Sequence, residues 1–215
     1  KRSCAADIID VKRPAEGSLG ANFPWIIRAV RNLSGKPVSA AIGDFDFKPG
    51  GASLAAYGAA HAGADYIKIG LMFDGTKRAG EVIGAVIKAV KDEFPEKYVV
   101  IAAYSDYVRL GAISPFTMSP IAAAAGADVA MVDTGIKDGK STFDFMNEES
   151  LREFASLNRE GGMQTALAGS LSFDHLPALR RIKPDIIGVR GMVCGGNRNA
   201  TIQEELVVRL ARMVG

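Results

Sequence analysis

Short runs of β-branched residues recur along this chain about every 30 residues, separated by Ala-rich stretches of helical period; that alternation builds βαβ units around a parallel sheet. The strands are expected at Ile8 to Val11, Val38 to Ile42, Tyr66 to Ile69, Val99 to Ala103, Val129 to Val132, Thr165 to Ala168 and Ile186 to Val189. Their spacing is that of a (β/α)8 TIM barrel, an α/β fold, here expected as one domain over residues 1–215. Seven strands do not close eight, and the chain opens at Lys1 in what reads as the end of a helix, so the first βα unit is expected to be missing from this sequence. A last barrel helix is expected over Ile202 to Val214, with Ile202, Leu206, Leu210 and Met213 on one face.

A small-residue phrase precedes several strands: Ala5-Ala6-Asp7, Ala62-Gly63-Ala64-Asp65 and Ala125-Gly126-Ala127-Asp128, with Lys183-Pro184-Asp185 as a variant. Gly63 and Gly126 suit the left-handed position that ends a helix, and each Asp then opens a strand on the bottom face, where polar residues mostly serve stability.

The 26 basic and 24 acidic residues are mixed along the chain, so no face for nucleic acid or anionic lipid is expected. Neither partner is predicted, and no apolar run reaches the ~20 residues that span a bilayer. Cys4 and Cys194 lack metal-ligand spacing and fit a reduced, cytoplasmic setting. With His61 and His175 the only histidines, proton transfer falls to lysines and carboxylates.

In such a barrel the C-terminal strand ends and the loops after them build the active site. Asp10 and Lys12 stand two residues apart on one strand and so share a face; beside that functional prospect stands a plain structural ion pair. Lys68 lies between Ile67 and Ile69 and must point into the barrel or snorkel out between helices. Asp133 ends a strand, and Lys137 and Lys140 follow in the loop, Lys140 as an ordinary solvated side chain. Lysines that converge on one pocket depress one another's pKa. At the ordinary value of ~10.4 about one lysine in 2,500 is neutral at pH 7, whereas a value near ~8 frees roughly a tenth for attack on a carbonyl. Schiff-base chemistry follows as the expected class.

The last two strands end in Ala168-Gly169-Ser170 and Gly188-Val189-Arg190-Gly191. Small residues there leave backbone N–H groups for a phosphate, so Gly169, Ser170, Gly188, Arg190 and Gly191 are the candidate phosphate-binding residues. Cys194 reads as a passive loop thiol, with no histidine placed to activate it.

Five stretches carry a family resemblance: Asp7-Ile-Ile-Asp-Val-Lys-Arg-Pro14, Gly17-Ser-Leu-Gly-Ala-Asn-Phe-Pro24, Asp65-Tyr-Ile-Lys-Ile-Gly-Leu71, Asp133-Thr-Gly-Ile-Lys-Asp-Gly-Lys140 and Ala168-Gly-Ser-Leu171. In that order, and at rim positions, they resemble the (5-formylfuran-3-yl)methyl phosphate synthase family. The resemblance implies a lyase that joins two molecules of glyceraldehyde 3-phosphate, one as its dihydroxyacetone isomer, into a phosphorylated furan aldehyde for methanofuran or methylofuran biosynthesis. Lys12 matches the family's Schiff-base lysine and Lys68 its proton acceptor, while Asp10, Asp133 and Lys137 match residues lining the same site. No metal or organic cofactor is implied. The partner expected is a small triose phosphate, together with further copies of the chain in a homo-oligomer.

Decarboxylase-like phosphate-binding barrels carry Asp-x-Lys-x-x-Asp on an early strand, but Ala15 stands where the second aspartate would be. A Schiff-base sugar-phosphate aldolase and a non-catalytic sugar-phosphate-binding barrel remain as alternatives.

Overall fold

The computed structural model describes residues 5–197 and 199–214; Lys1, Arg2 and Cys4, and the helix end expected there, lie outside the described residues. The strands are β1 (Ile9–Val11), β2 (Val38–Phe45), β3 (Tyr66–Leu71), β4 (Tyr98–Tyr104), β5 (Val129–Asp133), β6 (Gln164–Leu167) and β7 (Ile186–Ile187). All pair in parallel and in sequence order in one curled sheet, with β1 and β7 as its edges among the described residues. This is the TIM-barrel class of α/β fold.

Helices alternate with the strands: α1 (Pro24–Leu33), α2 (Pro49–His61), α3 (Thr76–Lys91), α4 (Tyr107–Leu110), α5 (Pro115–Ala125), α6 (Glu148–Glu160), α7 (Leu176–Ile182) and α8 (Glu204–Val214). Pro24, Pro49 and Pro115 each stand at a helix start, where the missing N–H costs nothing. Gly126 closes α5 in the left-handed conformation, as its place in the sequence predicts. No helix of the described residues is long and apolar enough to cross a membrane.

Side-chain alternation divides the strands between two cores. Ile67, Ile69, Ile101, Ala103, Ala130 and Val132 face the helices, and with Val82, Ile83, Val86 and Phe154 they form the main core. Ala41, Val100, Ala102, Met131, Ala166 and Ala168 form a second cluster inside the curl of the sheet. The last helix begins at Glu204, so Ile202 precedes it and is exposed, while Leu206, Leu210 and Met213 pack on the core as expected.

The aspartates that open β3, β5 and β7 have a definite task. Asp65 accepts the Val38 N–H at 2.7 Å, Asp128 that of Val99 at 2.6 Å and Asp185 that of Thr165 at 2.8 Å, so each ties its strand to the one before it. The backbone carbonyls of Asp65 and Asp128 accept from the strand after, at Tyr98 and Gln164. Asp128 also pairs with Lys91 at 2.9 Å. Because Val99 is fully buried, Asp128→Ala leaves its N–H without an acceptor. We expect a cost of about 1–3 kcal/mol in urea unfolding with kcat unchanged; a loss of a few tenths would mean that water takes the carboxylate's place.

Candidate active site

Because Val11 is buried toward the helices, Asp10 on β1 and Lys12 just after it point to the interior side, with Asp10 in register with Ser39 of β2. Lys68 is flanked by Ile67 and Ile69 of the helix-facing core, so it too turns inward and is only 6% exposed. Most of its interior neighbours are small: Ala41 lies in register on one side, opposite Val100, and Gly70 and Ala102 form the next layer. A barrel interior is ordinarily filled by bulky branched side chains. Here alanine and glycine leave that space to lysine.

Two ion pairs frame the mouth. Lys68 Nζ donates to Asp10 Oδ1 at 2.8 Å, and Lys137 Nζ donates to Asp133 Oδ1 at 2.7 Å and to Thr134 Oγ1 at 2.9 Å. Asp133 ends β5 and is nearly fully buried, while Asp10 keeps 36% of its side chain exposed. Burial alone would raise both carboxyl groups. The charges of Lys68 and Lys12 outweigh it at Asp10, and those of Lys137 and Lys12 outweigh it at Asp133, so both stay below the usual carboxylate value.

Lys12 is the odd member of the set. Its proximity to Asp10 in sequence suggests an ion pair, yet Asp10 hydrogen-bonds Lys68 across two strand spacings, and Lys12 Nζ instead meets the Ser18 carbonyl at 3.4 Å. Burial pushes the Lys12 ammonium below the ordinary lysine value; Asp133 and Asp10 resist that shift, and Lys68 and Lys137 add to it. The lysines and aspartates expected at one rim do lie together there, and burial makes the Lys12 ammonium easier to deprotonate than an ordinary lysine. Lys140 stays exposed outside, beside the Phe145 ring.

Several polar groups here carry no mark in the spacing of the sequence. Asp44 lies near the end of β2, accepts Leu19 N–H on both oxygens at 3.1 Å, and takes a hydrogen bond from the Tyr104 hydroxyl. An irregularity between Ala41 and Gly43 shifts the alternation by one, which turns Asp44 inward opposite Gly70. A strand that ends at Ile42, as expected from the apolar run, hides this residue. Asp106, almost fully buried, accepts Gly135 N–H at 2.7 Å and Ile136 N–H at 3.0 Å, holding the loop that carries Lys137. The usable signal was position: both aspartates sit at or just beyond a strand's C-terminal end.

The five phosphate candidates fall on two adjacent strand ends. Gly169 and Ser170 follow β6, with Gly169 buried and Ser170 exposed at a left-handed φ of 49°. Gly188 and Arg190 follow β7, and Gly191 opens a short 3-10 helix through Cys194. The Gly188 N–H is already engaged with the Leu167 carbonyl at 2.8 Å, so it is not free for a ligand in this state. Cys194 is buried, in keeping with a passive thiol.

A family profile described as 4-HFC-P synthase matches residues 2–211. The chain is 61% identical over 208 residues to the (5-formylfuran-3-yl)methyl phosphate synthase of Methanosarcina barkeri, covering 95% of this chain and 89% of that one. It is 52% identical over 215 residues to the enzyme of the same name from Methanocaldococcus jannaschii, covering 97% and 91%. Among solved structures it superimposes on KGPDC from Streptococcus mutans with a TM-score of 0.66 at 17% identity, covering 98% of this chain and 86% of that one. For an aldolase named QR15 the TM-score is 0.62 at 13% identity, covering 100% and 99%. These two structures share the fold.

Proposed function

The chain belongs to the 4-HFC-P synthase family, whose members are named (5-formylfuran-3-yl)methyl phosphate synthases, and on that premise we propose that it condenses two triose phosphates through an imine on Lys12. The observation that supports this is Lys12 itself: an amine on the interior face of β1 whose charged form burial disfavours, between two carboxylate–lysine pairs.

The neutral Lys12 amine attacks the carbonyl carbon of one triose phosphate, and water leaves as the imine forms. Lys68 passes the proton of its ion pair to Asp10, 2.8 Å away, and as the neutral amine takes a proton from the carbon next to the imine. The imine-bound triose then adds through carbon to the carbonyl of the second triose, forming the new carbon–carbon bond at the carbon that bears the retained phosphomethyl arm. Asp133 and Lys137 are placed to hold and move protons on the oxygens that depart as the ring closes. Water finally hydrolyses the imine to free Lys12 and the aldehyde, and the atoms balance as two triose phosphates giving one furan aldehyde phosphate, one inorganic phosphate and two waters. The backbone around Gly169, Ser170, Arg190 and Gly191 would hold a phosphate that stays on the sugar, and the setting is a cytoplasmic enzyme that feeds methanofuran or methylofuran synthesis.

Borohydride trapping is the direct test. Incubation of the protein with triose phosphate and reductant should add one reduced adduct at Lys12, and free phosphate should appear with turnover when the reductant is omitted. Trapping without phosphate release would favour a sugar-phosphate aldolase. Neither trapping nor turnover would favour a binding barrel.

A further inference from the structure

The loop between β1 and α1 does not lie over the surface. Leu19 is fully buried and packs in the interior cluster with Ala41, Val100, Ala102 and Met131, so the loop fills part of the space that the small strand residues leave open. Ser18, also buried, touches both arms of the site: its carbonyl accepts from Lys12 Nζ at 3.4 Å, and its hydroxyl donates to the Thr134 carbonyl at 2.8 Å, beside Lys137. What pins this turn is Asp44. Its two oxygens accept Leu19 N–H at 3.1 Å each, and Tyr104 donates its hydroxyl from the opposite side.

The surrounding residues make room for that clamp. A Cβ on Gly17, which has φ of 140°, would overlap the Asp44 carboxylate, and one on Gly70 would overlap the Tyr104 hydroxyl. Burial, with Asp44 adding to it, raises the Tyr104 hydroxyl well above its ordinary value, so it remains a donor throughout the neutral range.

We infer that Asp44 is a positioning residue which, with Tyr104 behind it, holds Ser18 and Leu19 in the barrel mouth and through them fixes the Lys12 amine and keeps water from it. The inference rests on Lys12 as the imine-forming residue. Asp44 touches no reacting atom in this scheme. The charged groups that face Lys12 are Asp10 on its own strand, Lys68 from β3, and Asp133 and Lys137 from β5 and its loop. Loss of the Asp44 charge by itself would lower the basicity of Lys12, so an upward shift reports on the loop, and Tyr104→Phe, which changes none of these charges, reports on it alone.

The test reads Lys12 without substrate. Wild type, Asp44→Asn and Tyr104→Phe are labelled with acetic anhydride across a pH series, and Lys12 acetylation is measured by peptide mass spectrometry relative to the exposed Lys36 of the same sample. Asparagine keeps the shape of Asp44 but only one of its two acceptor oxygens. The loosened loop then admits water to Lys12, so the rising limb of its labelling should move up by about one pH unit in Asp44→Asn, a roughly tenfold loss of labelling near neutrality that disappears at high pH. A smaller shift in the same direction is expected for Tyr104→Phe, which decides the matter alone if Asp44→Asn does not fold. A merely structural role would lower the melting temperature and leave the limb in place, and an unmoved limb in a folded variant overturns the inference. Since the label needs no triose, that result is distinct from a wild type that never traps substrate, which would count against the imine.

Discussion

Replacing Lys12 by methionine is expected to abolish the borohydride-trapped adduct and to lower kcat by roughly 10⁴-fold or more, the scale of losing a covalent nucleophile. Methionine retains most of the side chain's reach and apolar bulk, so the loss isolates the amine. Stability should respond in the opposite sense. Burial holds the folded-state pKa of Lys12 below its unfolded value, so the native protein binds fewer protons than the unfolded chain between the two values. Lys12 therefore works against folding at pH below its folded pKa, and that penalty fades as pH rises through the interval. Lys12→Met should accordingly melt no lower than wild type at pH 7, with any advantage shrinking in alkali. A variant that still traps triose phosphate at full yield would remove Lys12 from the mechanism.

Lys68→Met should behave differently. Trapping at Lys12 persists, because the amine and its route to the carbonyl are intact, but kcat falls by about 10²–10⁴, the usual contribution of a positioned acid–base group. Unchanged kcat would refute the role of Lys68. This substitution also strands Asp10, whose hydrogen bond from Lys68 is lost while the burial that raises its pKa stays. A fully buried pair broken on one side costs about 3–5 kcal/mol; with over a third of Asp10 open to solvent, about 1–2 kcal/mol is the reasonable figure. The pH dependence has a definite sign. In wild type the lowered pKa of Asp10 contributes stability above the unfolded carboxylate value of ~3.9, and that contribution is lost as pH falls through the folded value. Lys68→Met loses most of it, so acid unfolding should begin at higher pH than in wild type, as followed by circular dichroism.

Much of this architecture was legible in the sequence because it depends on local periods. Runs such as Tyr66 to Ile69 and Val99 to Ala103 declare buried strands, and the alternation around Lys68 left it only two directions. The structure chose the interior, since Ile67 and Ile69 take the helix side. What escaped the sequence depends on contacts between distant residues. Asp10 and Lys12 share a face as their spacing requires, but the partner of Asp10 is 58 residues away, set by the register of three strands. Asp44 was hidden by a one-residue irregularity that no period reveals, and Leu19 by a loop that folds into the barrel instead of across it. The strand-opening aspartates were placed correctly on the bottom face, yet their acceptor role toward Val38, Val99 and Thr165 needed the neighbouring strand to be seen.

The wall around Lys68 has one more consequence, for anyone wishing to redirect this chemistry. Ala41, Ala102, Ala166 and Ala168, with Gly70 and Gly188, carry a methyl group or nothing. Mutation at those positions has almost nothing to remove, and within the interior cluster the larger strand side chains are those of Val100, Val129 and Met131. Beyond trimming Val100 or Met131, room for a bulkier substrate comes from shortening Leu19 or redrawing the turn that carries it, so a library aimed at residues 17–20 should yield broader substrates where one aimed at the alanines and glycines of the strands yields narrower ones.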